Sequence, residues 1–209
     1  MFRISQYLRE LAQAQATGQY PTPRERHARG PVVIWNLIRR CNLTCKHCYA
    51  LSADHDYAGE LSLPEVFTVM DDLKAFGVPA LILSGGEPLL RPDLFEIAAR
   101  ARDLGFYTGL STNGTLIDAP MAARIAGAGF DYVGISLDGL KPTHDKFRRL
   151  EGAFDRSLAA IGHLDKVGVK VGLRYTMTAM NGHDLPALLD LMQEVGAHKF
   201  YFSHLNYAG

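Results

Sequence analysis

All three cysteines of the chain fall within eight positions, in CNLTCKHC, residues 41 to 48. An odd, tightly spaced set of this kind reads as a ligand set and not as a disulfide framework. Thiolates select soft metals, which leaves zinc, copper and iron–sulfur for Cys41, Cys45 and Cys48. A structural zinc needs a fourth ligand, which His47 or His55 could supply, but zinc knuckles pair their cysteines in two separated loops and no second pair exists here. A four-iron cluster takes one thiolate per iron, so three local cysteines would leave one iron open for a substrate or cofactor. The spacing favours iron–sulfur and leaves zinc open.

Regular alternation of apolar strands and amphipathic helices positions this loop. VVIWNLI, residues 32 to 38, is a β-prone run leading straight into it. The helix that follows is announced by Ser62 as cap, Glu65 three positions on, and Leu61 placed to staple against Val66. Val66, Val69, Met70, Leu73 and Phe76 repeat on one face, and Gly77 ends the helix. ALILS, FYTGLST, DYVGISLDG, VKVGLRYTM and KFYFSHL read as further strands, each separated from the next by one helix. Short strands that are apolar along their length suit a parallel sheet buried on both faces, in an α/β fold of six strands and five intervening helices. Right-handed crossovers could wind these into an open barrel or a doubly wound sheet. In either, chemistry collects at the carboxyl ends of the strands, and CNLTCKHC, GGEP, TNG and DG all fall there. Four motifs on one rim point to an enzyme.

The 209 residues are 47% apolar, with 22 basic against 22 acidic side chains, so the basic excess of a nucleic-acid binder is lacking. No run has the length of a membrane-spanning helix, and MFRISQYLRE is not followed by the apolar stretch of a secretion signal. The expected setting is cytoplasmic, without membrane or nucleic-acid partners. Residues 1–30 differ from the rest: FRISQYLREL can form a short amphipathic helix, whereas AQAQATGQYPTPRERHARGP reads as a mobile lead-in. Arg3, Arg9, Arg24, Arg26, Arg29, Arg39 and Arg40 stand against Glu10 and Glu25. They form a solvated face or a rim that attracts an acidic ligand.

A C-x-x-x-C-x-x-C loop after a first strand, followed in order by SGGEP, STNG and SLDG, resembles the radical S-adenosylmethionine (radical SAM) superfamily over residues 31 to 205. The resemblance implies a partial (β/α)6 barrel of the TIM type. It implies a [4Fe-4S] cluster on Cys41, Cys45 and Cys48, with the amino and carboxylate groups of S-adenosylmethionine on the open iron. An electron, from a reductant such as flavodoxin or ferredoxin, then releases methionine and a hydrogen-abstracting 5′-deoxyadenosyl radical. His47 sits where the family contacts adenine. Gly85 and Gly86 admit a ligand close to the backbone, and Glu87 is placed to accept from the methionine ammonium. Thr112, Asn113, Ser136 and Asp138 lie at the levels from which the family reaches ribose and methionine. Lys170 or Arg174 would pair with the methionine carboxylate, Arg174 better because a planar fork suits a carboxylate.

The extended wording, from GPVVIWNLIRRCNLTCKHCY through VPALILSGGEPLLRPDLFE to KFYFSHLNYAG, is most similar to the haem d1 biosynthesis branch of that superfamily. This implies a modified sirohaem substrate that loses propionate side chains, with His144, His183 and His204 as candidate contacts. Peptide-modifying radical enzymes, which share the barrel motifs, are the alternative among enzymes; a zinc-stabilised binding module is the alternative outside them. Such relatives continue into a cysteine-rich domain with an auxiliary cluster, whereas this chain has no cysteine after Cys48. Residues 31–209 are therefore expected to be the core barrel, cut before that domain.

Overall fold

Six of the apolar runs pair into one sheet. The computed structural model describes residues 4–18 and 30–205, with side chains described from residue 11 onward within those ranges. The strands are β1 (Val32–Asn36), β2 (Ala80–Ser84), β3 (Tyr107–Thr112), β4 (Tyr132–Ser136), β5 (Val171–Met177) and β6 (Lys199–His204). They are hydrogen-bonded in sequence order, and every pairing is parallel. Ile34 of β1 and Tyr201 of β6 line the same cavity although four strands separate them, so the sheet curls into an open half-barrel. This is the partial (β/α)6 barrel, and the doubly wound alternative is set aside.

The helices are α1 (Ile4–Thr17), α2 (Leu63–Ala75), α3 (Leu94–Asp103), α4 (Ala119–Ala128), α5 (Lys141–Arg148), α6 (Ala153–Lys166) and α7 (Leu185–Glu194). Alternation along each strand sends Leu81, Leu83, Leu110, Val133, Ile135 and Leu173 to the convex face, all fully buried with Val66, Met70 and Ile97 in one apolar core. The concave face is different in kind. Its carboxyl half carries Ser84, Ser111, Ser136, Thr176 and Ser203, and its lower half is closed by Ile82, Tyr132 and Tyr201.

Expectation and structure part at four places. β2 is buried along its whole length, but Val32 and Ile34 of β1 are 61% and 48% exposed, because β1 is an edge strand of an unclosed sheet. Phe76 does not join the buried face of α2; the helix ends at Ala75, Gly77 turns the chain at φ +85°, and the ring is 74% exposed. The start of α2 is as expected, with Glu65 Oε2 accepting from the Ser62 N–H at 2.8 Å and from its hydroxyl at 2.7 Å. α1 runs on through AQAQAT to Thr17, because an alanine-rich run is a good helix former, and it buries Ala14. The rest of the arginine-rich lead-in, residues 19–29, lies outside the described residues.

The fourth difference is α5. One helix was expected between β4 and β5, and there are two. Pro142 in the first turn starts α5, and Arg149 at φ +54° ends it. Asp145 then accepts from the N–H groups of Gly152 and Phe154, both at 2.8 Å, which fixes the start of α6.

The core placement can be measured. Leu83→Ala, at a side chain with no exposure, should lower stability by about 2–5 kcal/mol in urea unfolding. A midpoint equal to wild type would contradict its position between β2 and the helices.

Candidate functional site

The cysteine loop is seated on the turn after β2. Gly86 N–H donates to Ile38 O at 2.6 Å and Glu87 N–H to Arg40 O at 2.9 Å. A Cβ on Gly86 would stand 2.4 Å from the carbonyl oxygens of both Arg39 and Arg40, and one on Gly85 equally close to Ile38 O. The two glycines thus admit the chain's own backbone as well as bordering the cavity above. Arg91, buried in the following turn, donates to Leu37 O at 2.6 Å and Leu61 O at 2.8 Å, tying both ends of the loop to the same place.

Glu87 does not face the cavity as expected. It is fully buried, and its carboxylate accepts from the Thr112 hydroxyl at 2.7 Å, Asn113 N–H at 2.9 Å and Leu89 N–H at 3.2 Å. Burial pushes its carboxyl up while those donors pull it back. It is a strut between the ends of β2 and β3, with its carboxylate engaged by the chain's own donors. Asn113 passes the connection on. Its amide nitrogen donates to Asn42 Oδ1 at 3.0 Å and reaches Cys41 Sγ at 3.9 Å.

Asp138 is likewise buried, and its carboxylate is engaged by the chain's own donors. Its carboxylate accepts from Thr176 N–H at 3.0 Å, meets His47 Nε2 at 3.3 Å and is ion-paired with Arg148. Its own N–H donates to His144 Nδ1 at 3.1 Å, and its carbonyl accepts from Asn181 at 2.8 Å. Burial opposes the charge, but Arg148 and His47 outweigh it and hold the carboxyl well below the usual range. The last turn of α5 completes the clamp. Phe147 O accepts from Lys46 N–H at 2.9 Å, the Phe147 ring lies 5.2 Å from that of His47, and Arg148 donates to Cys45 Sγ at 3.5 Å.

Above these supports lies a cavity of about 420 Å³ at the carboxyl ends of the strands, lined by Cys41, Cys45 and Cys48, by Thr112 and Asn113, and by the concave hydroxyls. All three thiols are free. Each sulfur faces an N–H donor: Leu43 N–H to Cys41 at 3.4 Å, Ser52 N–H to Cys48 at 3.5 Å, and Arg148 to Cys45. Burial, with Glu87 and the two neighbouring thiols adding to it, pushes the Cys41 thiol up to about 12. Among the described residues, no three His, Cys, Asp or Glu side chains converge on a single metal ion. Arg174 projects from mid-β5 into the cavity, its stem passing over Gly134, where a Cβ would stand 2.7 Å from Arg174 Cδ. Its guanidinium has no hydrogen-bond or ion-pair partner among the described residues. His47 Nδ1, Ser52 Oγ and Arg148 Nε, all on cavity-lining residues, are buried without a partner there. A second cavity, of about 410 Å³, lies between β1 and residues 49–61 and holds none of the cysteines.

The radical SAM superfamily model matches residues 35–195, most of the chain. The chain belongs to the radical SAM superfamily. A pre-heme d1 synthase from Dinoroseobacter shibae is 53% identical over 212 residues, covering all of this chain and 50% of that protein. An Fe-coproporphyrin III synthase from Methanosarcina barkeri is 49% identical over 179 residues, covering 86% of this chain and 45% of that protein. The chain thus spans about half the length of these curated relatives. Among solved structures, SuiB of Streptococcus suis bound to S-adenosylmethionine superimposes with a TM-score of 0.73 at 17% identity, covering 98% of this chain and 46% of that one, a likeness of fold.

In this radical SAM core the expected residues separate clearly. Cys41, Cys45, Cys48, His47, Gly85, Gly86, Thr112, Asn113, Ser136, Arg174 and His204 border the cavity. Lys170 does not: it precedes β5 at the amino end of the strand, exposed on the opposite rim. His183 is an exposed neighbour of Asp184 at 3.4 Å, outside the cavity lining. His144 is buried behind Asp138, where sequence position near a rim loop had suggested a substrate contact. Arg148, Arg91, Asn42 and Asn181 were not singled out from sequence. For Arg148 a signal existed, since Lys141-Pro142 is a helix start whose last turn falls at Phe147-Arg148.

Burial holds the His144 imidazole neutral, lowering its pKa from 6.5 to about 3. The unfolded chain therefore takes up this proton first. The contribution of neutral His144 is full above pH 6.5 and is lost as pH falls towards about 3. Urea midpoints at about pH 7.5 and about pH 5 should fall more for wild type than for His144→Gln. Equal losses would contradict a buried neutral imidazole.

Proposed function

We propose that this chain is the cluster- and S-adenosylmethionine-binding part of a haem d1 biosynthesis enzyme that removes propionate side chains from a didecarboxylated sirohaem. The observation that carries the reading is 53% identity across the whole chain to a pre-heme d1 synthase. A porphyrin-related setting is also supported by 49% identity to an Fe-coproporphyrin III synthase.

The residues present fit a [4Fe-4S] cluster. Cys41, Cys45 and Cys48 would hold it, since three free thiols border one cavity and each sulfur already receives an N–H donor. One thiolate per iron does not require the three sulfurs to meet at one ion. When bound, the cluster and S-adenosylmethionine supply reductive cleavage of a sulfonium and a hydrogen-abstracting carbon radical.

The protein's own contribution is placement. Arg174 offers a planar, unpartnered fork to a carboxylate inside the cavity. Ser111, Ser136 and Thr176 offer hydroxyls to the polar groups of a nucleoside, while Tyr132, Tyr201 and Ile82 close the floor against water. Glu87 and Asp138 act from behind, holding the loop that carries the thiols. The reductant, in this reading, is a small electron-transfer protein such as a flavodoxin or ferredoxin.

The full-length enzyme, reconstituted anaerobically, should take up about four irons and four sulfides and form 5′-deoxyadenosine from S-adenosylmethionine on reduction. Cys45→Ala should abolish that product. With the sirohaem derivative, pigment absorption should change and product mass should fall by the propionate carbons. Zinc at unit stoichiometry without iron would refute the radical reading. Turnover of a peptide with an untouched pigment would move the substrate to the peptide-modifying class.

A further inference from the structure

The mechanism above uses Arg148 only as a clamp, yet its guanidinium is placed for more. One terminal nitrogen, Nη1, donates to Cys45 Sγ at 3.5 Å, and the other, Nη2, to the Asp138 carboxylate. The residue is 8% exposed, so its charge is little screened by water. Its orientation is fixed at several points. Asp138 is itself held by Thr176 N–H, and Phe147 O, one residue before Arg148, is bonded to Lys46 N–H, one residue after Cys45. The guanidinium is thus anchored on Asp138 while the backbone of α5 is bonded to the cysteine loop. The other two sulfurs receive backbone N–H groups, and Cys41 also meets the Asn113 amide. Cys45 alone receives a charged donor among the described residues.

Resting on the reading of Cys45 as a cluster ligand, we propose that Arg148 is a positioning residue that sets the reduction potential of the cluster through the Cys45 sulfur. Reduction adds one electron to a cluster whose thiolates already carry negative charge. A cation and hydrogen bond at one thiolate stabilise the reduced form more than the oxidised form, and so raise the potential. Asp138 tempers this, because its carboxylate pairs with the same guanidinium, but it lies against Nη2 and the sulfur against Nη1. His47 shares the Asp138 carboxylate, so the clamp holds a residue on each side of Lys46.

The test is a redox titration of the reconstituted full-length enzyme, followed by electron paramagnetic resonance without S-adenosylmethionine, so that cofactor contacts do not enter. In Arg148→Met the ratio of reduced to oxidised cluster at the wild-type midpoint should fall about tenfold, equivalent to about 59 mV for one electron. Arg148→Lys keeps the charge without the fork and should recover most of that loss, which a change of packing alone would not do. If Arg148→Met folds poorly, Arg148→Gln takes its place with the same expected direction. An unchanged midpoint with an intact cluster spectrum overturns the proposal, as does Arg148→Lys falling as far as Arg148→Met. A wild-type enzyme that binds no cluster overturns the reading beneath it instead.

Discussion

A buried carboxylate at the end of β4 organises this rim. Asp138 has essentially no exposure, and an isolated charge in that position would be expelled or neutralised. It survives because a β5 amide, the His47 ring and the Arg148 guanidinium all meet it. Each donor belongs to a different element, so satisfying one charge joins the cysteine loop, α5 and β5. Removing one member of such a buried pair costs about 3–5 kcal/mol in general, mostly by stranding the other. Glu87 repeats the arrangement with neutral hydrogen-bond donors, joining β2 to β3 and, through Asn113, to Asn42 and Cys41. The soft-ligand loop has little regular structure of its own and inherits its shape from these two acids.

The two faces of the sheet divide the work. Leu83 and Ile135 on the convex side are core, and Ser84 and Ser136, one position further along the same strands, border the cavity. Strand alternation alone produces this division. It places hydroxyls at the carboxyl rim of the concavity while the convex side stays apolar.

Periodicity made the six strands, the start of α2 at Ser62 and the motif-bearing rim legible, because each depends on local spacing. Side-chain direction was not legible in the same way. Glu87 and Asp138 stand at positions whose motifs suggest ligand contacts, but their carboxylates turn inward to donors that only the assembled fold brings near. Lys170 and Arg174 are four residues apart in sequence, but Lys170 falls just before β5 and Arg174 at its middle, a difference that depends on where the strand begins. α5 escaped because its segment is short and strongly polar, so it lacks the apolar stripe that marked the other helices. His144 escaped for a related reason: its burial comes from the packing of α5 on Asp138, not from its neighbours in sequence.

An arc of strands differs from a ring in how it admits a guest. In a closed eight-stranded barrel, side chains fill the interior and ligands approach only along the axis. Here β1 and β6 stand unpaired with each other, and Ile34 and Tyr201 face the cavity from the two banks of that gap. One flank of the cavity is therefore bounded by residues of two edge strands, where a closed ring would present a hydrogen-bonded wall.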